Sequence, residues 1–75
     1  MPKLPRVTAN DLLRALRRDG WVEVGRAGSH VQLKHPNRHG KVTIPMHTNK
    51  IIPAFVLASV LKQAGMTADE LRGLL

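Results

Sequence analysis

Apolar residues recur along this chain with two different periods, and the change of period divides it into elements. From Thr8 to Asp19, the residues Ala9, Leu12, Leu13 and Leu16 fall on one side of a 3.6-residue repeat. Arg14, Arg17 and Arg18 fall mostly off that stripe, where they suit the later turns of a helix. Thr8 has the chemistry of an N-cap, Asp11 lies in the first turn, and Gly20 is the expected stop. The spacing predicts a helix over 8–19.

The period then drops to two. Val22 and Val24 alternate with Trp21 and Glu23, and Ala27-Gly28 signals a turn. From Ser29 to His35, Val31 and Leu33 point to one face, while His30, Gln32 and Lys34 point to the other. Pro36-Asn37-Arg38-His39-Gly40 is a dense turn cluster, after which Val42 and Ile44 alternate with Lys41 and Thr43. Three short strands joined by tight turns predict an antiparallel meander. A second helix is expected from about Pro53 to Ala64, burying Val56 or Leu57, then Val60, Leu61 and Ala64, and ending at Gly65. Thr67-Ala68-Asp69-Glu70 is a capping-box pattern that opens a last short helix carrying Leu71, Leu74 and Leu75.

The expected fold is therefore α+β, in the order α-β-β-β-α with a short C-terminal helix. The two main helices would cover one sheet face and leave the other to solvent. In simple register that open face would gather His30, Gln32, Lys34, Lys41 and Thr43, a platform suited to a phosphodiester. Trp21 reads as a core-edge residue, because aromatic side chains that stack on RNA more often come in groups.

Size and composition narrow the picture. A chain of 75 residues is expected to form one domain, 1–75, with a small core. It contains no cysteine, which excludes disulfides and thiolate zinc sites. Met1 to Arg6 has no apolar run long enough for a signal peptide. The stretch Ile51–Leu61 is too short and interrupted for a membrane span, which needs about 20 apolar residues. A soluble, cytoplasmic protein that does not engage a membrane is the expectation. Twelve Lys and Arg against five Asp and Glu give a formal net charge of +7, with ten of the twelve basic residues in the first fifty positions. That excess favours a polyanion such as nucleic acid over a charge serving solubility alone.

The four histidines, His30, His35, His39 and His47, crowd into one stretch, and three readings apply to them. Metal binding is disfavoured, since no carboxylate lies between Glu23 and Asp69, and neither metal nor cofactor is expected. His35 and His39 flank a Pro-Asn turn and read as solvated loop residues. The third reading is catalysis at His30. Cleaving RNA without a metal requires a base for the ribose 2′-hydroxyl, an acid for the departing 5′-oxygen and cations for the developing charge. Imidazole suits both proton transfers, and lysine suits the charge. Gly28 would let a substrate backbone approach, and the Ser29 hydroxyl could bond a phosphate oxygen. Spacing alone leaves both an inert surface His30 and a catalytic one open.

The stretch from Asp11 to Leu75 is similar to HicA toxins, the ribonuclease halves of bacterial HicA–HicB toxin–antitoxin pairs. The similarity is carried by Arg18-Asp19-Gly20-Trp21, by Gly28-Ser29-His30 followed by Val31 and Leu33, by Thr43-Ile44-Pro45-Met46-His47, and by Leu61-Lys62-Gln63-Ala64-Gly65-Met66. It departs where many members carry a small Gly-Thr-like pair opening the second helix, since this chain has Ala54-Phe55. The resemblance implies a fold like the double-stranded-RNA-binding domain, metal-free mRNA cleavage with His30 as the catalytic histidine, growth arrest, and neutralisation by a HicB-type antitoxin. It also marks His47, either as a phosphate contact or as an anchor for the second helix. With the strand geometry it makes Gly28, Ser29, Lys34, Lys41 and His47 the candidate RNA-binding residues, with Arg26 and Lys50 as further candidate cations. Two other readings share the charge and fold order: a non-catalytic double-stranded-RNA-binding module, and a protein-interaction domain for an acidic partner.

Overall fold

Thr8 begins the first element by hydrogen bonding, as its residue type suggests. The computed structural model describes residues 3–46 and 50–75. In it the Thr8 hydroxyl accepts the Asp11 N–H at 3.1 Å, and the Asp11 carboxylate accepts the Thr8 N–H at 3.2 Å. This reciprocal box satisfies two amides that the first helical turn leaves without partners. Helix α1 (Ala9–Arg18) follows and buries Ala9, Leu12, Leu13, Ala15 and Leu16. Asp19 caps it, and Gly20 leaves it with φ +101°, a left-handed conformation that glycine adopts without strain.

Strands β1 (Val22–Ala27), β2 (His30–Lys34) and β3 (Val42–Pro45) form one antiparallel sheet in the order β1-β2-β3. Val31 and Leu33 from β2 and Val42 and Ile44 from β3 are fully buried on one face. Strand β1 is different. Trp21 precedes it and is only 2% exposed, closing the core edge, while Val22 and Val24 both lie exposed. The register shifts between Glu23 and Gly25, so Val24 is the extra residue of a bulge in an edge strand. Glu23 shares the inner side with Leu33 but leaves it at the sheet margin, where Arg17 and Arg26 meet its carboxylate.

Helix α2 (Ala54–Ala64) starts one residue later than the sequence pattern suggests, because Pro53 has extended ψ and occupies the cap position. It buries Leu57, Val60, Leu61 and Ala64, leaves Val56 half-buried, and ends on Gly65 at φ +65°. Helix α3 (Ala68–Leu74) opens on the Thr67–Glu70 capping box and buries Leu71, with Leu74 half-buried and Leu75 exposed. The Arg18 guanidinium donates to the Leu74 carbonyl, tying α3 to α1.

The inward faces of both main helices and of the sheet meet in one apolar cluster, and among the described residues no polar or charged residue is buried in it. The segment ahead of α1 also joins the core. Ile52 donates its N–H to the Val7 carbonyl at 2.8 Å, and both side chains are buried, a pairing too short to show a period in the sequence. No helix is long and apolar enough to cross a membrane.

Candidate active site

The register sets the second face of the sheet. His30 pairs with Ala27 on β1 and Pro45 on β3, and Gln32 pairs with Gly25 and Thr43. Side chains of paired residues lie on the same side, so His30, Gln32, Lys34, Thr43 and Pro45 share the face opposite the core. His30 opens β2 directly after the two-residue turn Gly28-Ser29. Gly28 has φ +59°, as tight hairpin turns require, with open space where a Cβ would stand. Its strand partners are the small or apolar Ala27 and Pro45, the imidazole is exposed, and among the described residues its ring nitrogens have no hydrogen-bond partner. The Ser29 carbonyl accepts the Met46 N–H at 2.6 Å, extending the β2–β3 pairing past the strand end. The Ser29 side chain is left at the surface beside His30.

Lysine brings the charge to this face. Lys34 is exposed at the far end of β2, and the Lys41 ammonium lies 3.5 Å from the Gln32 amide oxygen, placing it over the same surface. All five carboxylates are engaged elsewhere. Asp11 and Glu70 sit in capping boxes, which hold both carboxyls below their ordinary range mainly through the Thr8 and Thr67 amides. Asp11, Asp19, Glu23 and Asp69 pair with Arg14, Arg38, Arg17 with Arg26, and Arg72 respectively. Among the described residues every ion pair is made by an arginine and none by a lysine, so neither Lys34 nor Lys41 is committed to a carboxylate. Arg26 lies off this face: it pairs with Val31 in register, on the inner side, and bonds Glu23 at 3.0 Å.

The open face is not flat. Helix α2 runs along the outer edge of β3, where the Gln63 side-chain oxygen accepts the Thr43 N–H at 2.9 Å and Gln63 donates to the Ser59 hydroxyl at 3.3 Å. This satisfies an edge-strand amide and raises a wall beside His30. His30, Thr43, Pro45, Phe55, Val56, Ser59 and Gln63 line a cleft of about 300 Å³. The α2 side of this cleft escapes a strand-by-strand reading, because its residues are distant in sequence. The signal was there: Phe55, Ser59 and Gln63 recur at four-residue spacing on the side of α2 away from its apolar stripe.

The other histidines separate. His47 lies outside the described residues, and His39 is exposed. His35 is not a solvated loop residue. It is half-buried, its Nδ1 accepts the Asn37 N–H at 3.0 Å, and its Nε2 lies 2.8 Å from the Asp19 carbonyl oxygen. Because Nδ1 accepts, Nε2 carries the proton and donates. The ring also meets Trp21 edge-on at a centroid distance of 5.3 Å. His35 therefore fastens the end of β2 to the end of α1. Among the described residues no three His, Asp or Glu side chains come together in a metal-binding group.

No curated protein matches this chain. The family model for the HicA toxin of bacterial toxin–antitoxin systems matches residues 9–66, from the start of α1 through the end of α2 and thus across the whole sheet. With that match spanning most of the chain and the helix–sheet–helix order in place, the protein belongs to the HicA toxin family.

Proposed function

We propose that this toxin is a metal-independent endoribonuclease acting on mRNA in the cytoplasm, with His30 as its acid–base residue. One observation carries the reading: an exposed imidazole, unpartnered among the described residues, stands on a face that also holds Lys34 and Lys41 and no carboxylate. A face of this kind attracts phosphate and leaves the ring free to exchange a proton.

In the proposed reaction His30 takes the proton of a ribose 2′-hydroxyl. The 2′-oxygen attacks the adjacent phosphorus, the bond to the 5′-oxygen breaks, and that oxygen receives a proton from the imidazolium or from water. The products are a 2′,3′-cyclic phosphate and a 5′-hydroxyl. Lys34 and Lys41 hold the phosphate chain and offset the charge that grows on its oxygens. The open Gly28-Ser29 turn lets the backbone approach, with the Ser29 hydroxyl available to a phosphate oxygen. A HicB-type antitoxin is the partner we assign, silencing the toxin by covering this basic face.

Cleavage of RNA in EDTA by the wild type and by His30→Ala, with the product ends identified, tests the proposal. Cyclic phosphate and 5′-hydroxyl ends from the wild type only are expected. Equal cleavage by both proteins would remove His30 from the mechanism, and RNA left intact by the wild type would remove the activity.

A further inference from the structure

Phe55 is 78% exposed, more than any other large apolar side chain among the described residues. A phenyl ring so placed forgoes the hydrophobic stabilisation its area could provide, and nothing in the packing of α2 requires it, since the helix buries Leu57, Val60, Leu61 and Ala64 instead. Its position is not arbitrary with respect to the site. Phe55 lines the same cleft as His30, with Ser59 and Gln63 one and two turns further along the helix.

The polar groups of that cleft are oriented. The Thr43 N–H needs an acceptor, so the Gln63 amide must present its oxygen to β3 and its NH₂ away from it. One N–H of that group reaches Ser59, leaving the other N–H and the Ser59 hydroxyl proton available. An apolar ring beside fixed donors matches a nucleobase, which has a π-face and a rim of acceptors. The continuity of the cleft with the lysine-bearing face, and the lack of any carboxylate in its lining, favour an anionic ligand over a neutral or basic one, and the exposed ring beside amide and hydroxyl donors favours a nucleic acid over an acidic peptide. The base must come from a single strand, because in a duplex its faces are already stacked.

We infer that Phe55 is the stacking platform of a base subsite next to His30, where a nucleobase flanking the cut phosphate lies on the ring and turns its edge toward Ser59 and Gln63. This rests on the ribonuclease reading above and adds a determinant of substrate choice to it.

The test uses the full chain with a single-stranded RNA oligonucleotide, measuring single-turnover cleavage by the wild type, and affinity in a His30→Ala background that prevents cutting. Phe55→Leu keeps an apolar side chain without a stacking face, and Phe55→Trp enlarges the face. We expect affinity to fall about tenfold for Phe55→Leu and to be kept or raised for Phe55→Trp, as base–aromatic stacking predicts. Because the ring is exposed, both variants should melt with the wild type. Cleavage and binding unchanged in Phe55→Leu would overturn the subsite while leaving the ribonuclease intact. Equal losses in Phe55→Leu and Phe55→Trp would overturn stacking in favour of shape alone. A weakened antitoxin complex with unchanged RNA affinity would assign the ring to the protein partner and also overturn it. A wild type that neither binds nor cuts the oligonucleotide would remove the function and the subsite together.

Discussion

His30 opens the five-residue strand β2 and His35 directly follows its last residue, and the fold treats them in opposite ways. At the first, the strand partners are Ala27 and Pro45 after a glycine turn, and no hydrogen bond from a described residue holds the ring. At the second, both ring nitrogens are engaged and an indole packs against the imidazole. The same side chain is left open to solvent in one place and is a fastener in the other. What differs is the number of groups the surrounding elements direct at it. Histidine content alone therefore says little about a site, whereas the pairing of each ring nitrogen separates the two environments.

The largest effect should come from removing the exposed ring of His30. His30→Ala is expected to lower kcat/KM for RNA cleavage by about 10²–10⁴, the range for a lost acid–base group, with an unchanged urea midpoint. His35→Ala should do the reverse. It strands the Asp19 carbonyl and the Asn37 amide and uncovers Trp21, costing about 1–3 kcal/mol in urea unfolding, while the folded fraction cleaves normally. A His35→Ala protein of wild-type stability would show that the bonds around this ring hold nothing together.

Gly20 sharpens the same contrast. A Cβ there would stand 2.7 Å from the His35 Nε2, and φ is +101°. Gly20→Ala is thus expected to destabilise by more than about 1 kcal/mol. Part of that cost should vanish in a His35→Ala background, leaving the backbone strain, and a double-mutant cycle reads the difference.

A smaller effect is expected from the cations that accompany His30. Lys34→Gln and Lys41→Gln should each lower the slope of log affinity against log salt by about 0.7 on single-stranded RNA, whereas Arg26→Gln should leave it unchanged and lower stability slightly through Glu23. Binding titrations across a salt series distinguish them. The smallest effect concerns the caps. Asp11 and Glu70 have folded-state carboxyls held below their ordinary range. Their contribution is present above the unfolded carboxylate pKa and is lost as pH falls through the lower folded values. Stability should therefore decline as the solution is acidified below about pH 4, and Asp11→Asn with Glu70→Gln should flatten that part of the pH profile.

How far the chain could be read in advance differs by element. Thr8 with Asp11 and Thr67 with Glu70 declare both capped helices, because each box is closed within four residues. Val31, Leu33, Val42 and Ile44 declare the buried face, because strand side chains alternate whatever lies around them. His30 was legible as a residue of the open face for the same reason. In β1 Trp21 takes the inner place expected of a core-edge residue, and Val22 and Val24, which alternate with Trp21 and Glu23, are exposed. The role of His35 was not legible, since its partners lie 16 residues away at Asp19 and across a turn at Asn37.

Local hydrogen bonding and side-chain periodicity thus determined, from the sequence by itself, the order of helices and strands, the face that is buried and the strand that carries His30. Tertiary structure alone decided that α2 walls the cleft through Gln63, and that His35 reaches the Asp19 carbonyl while His30, among the described residues, has no hydrogen-bond partner. These depend on which elements meet across long stretches of chain. Such encounters follow from packing the whole core at once, not from any single segment's preference.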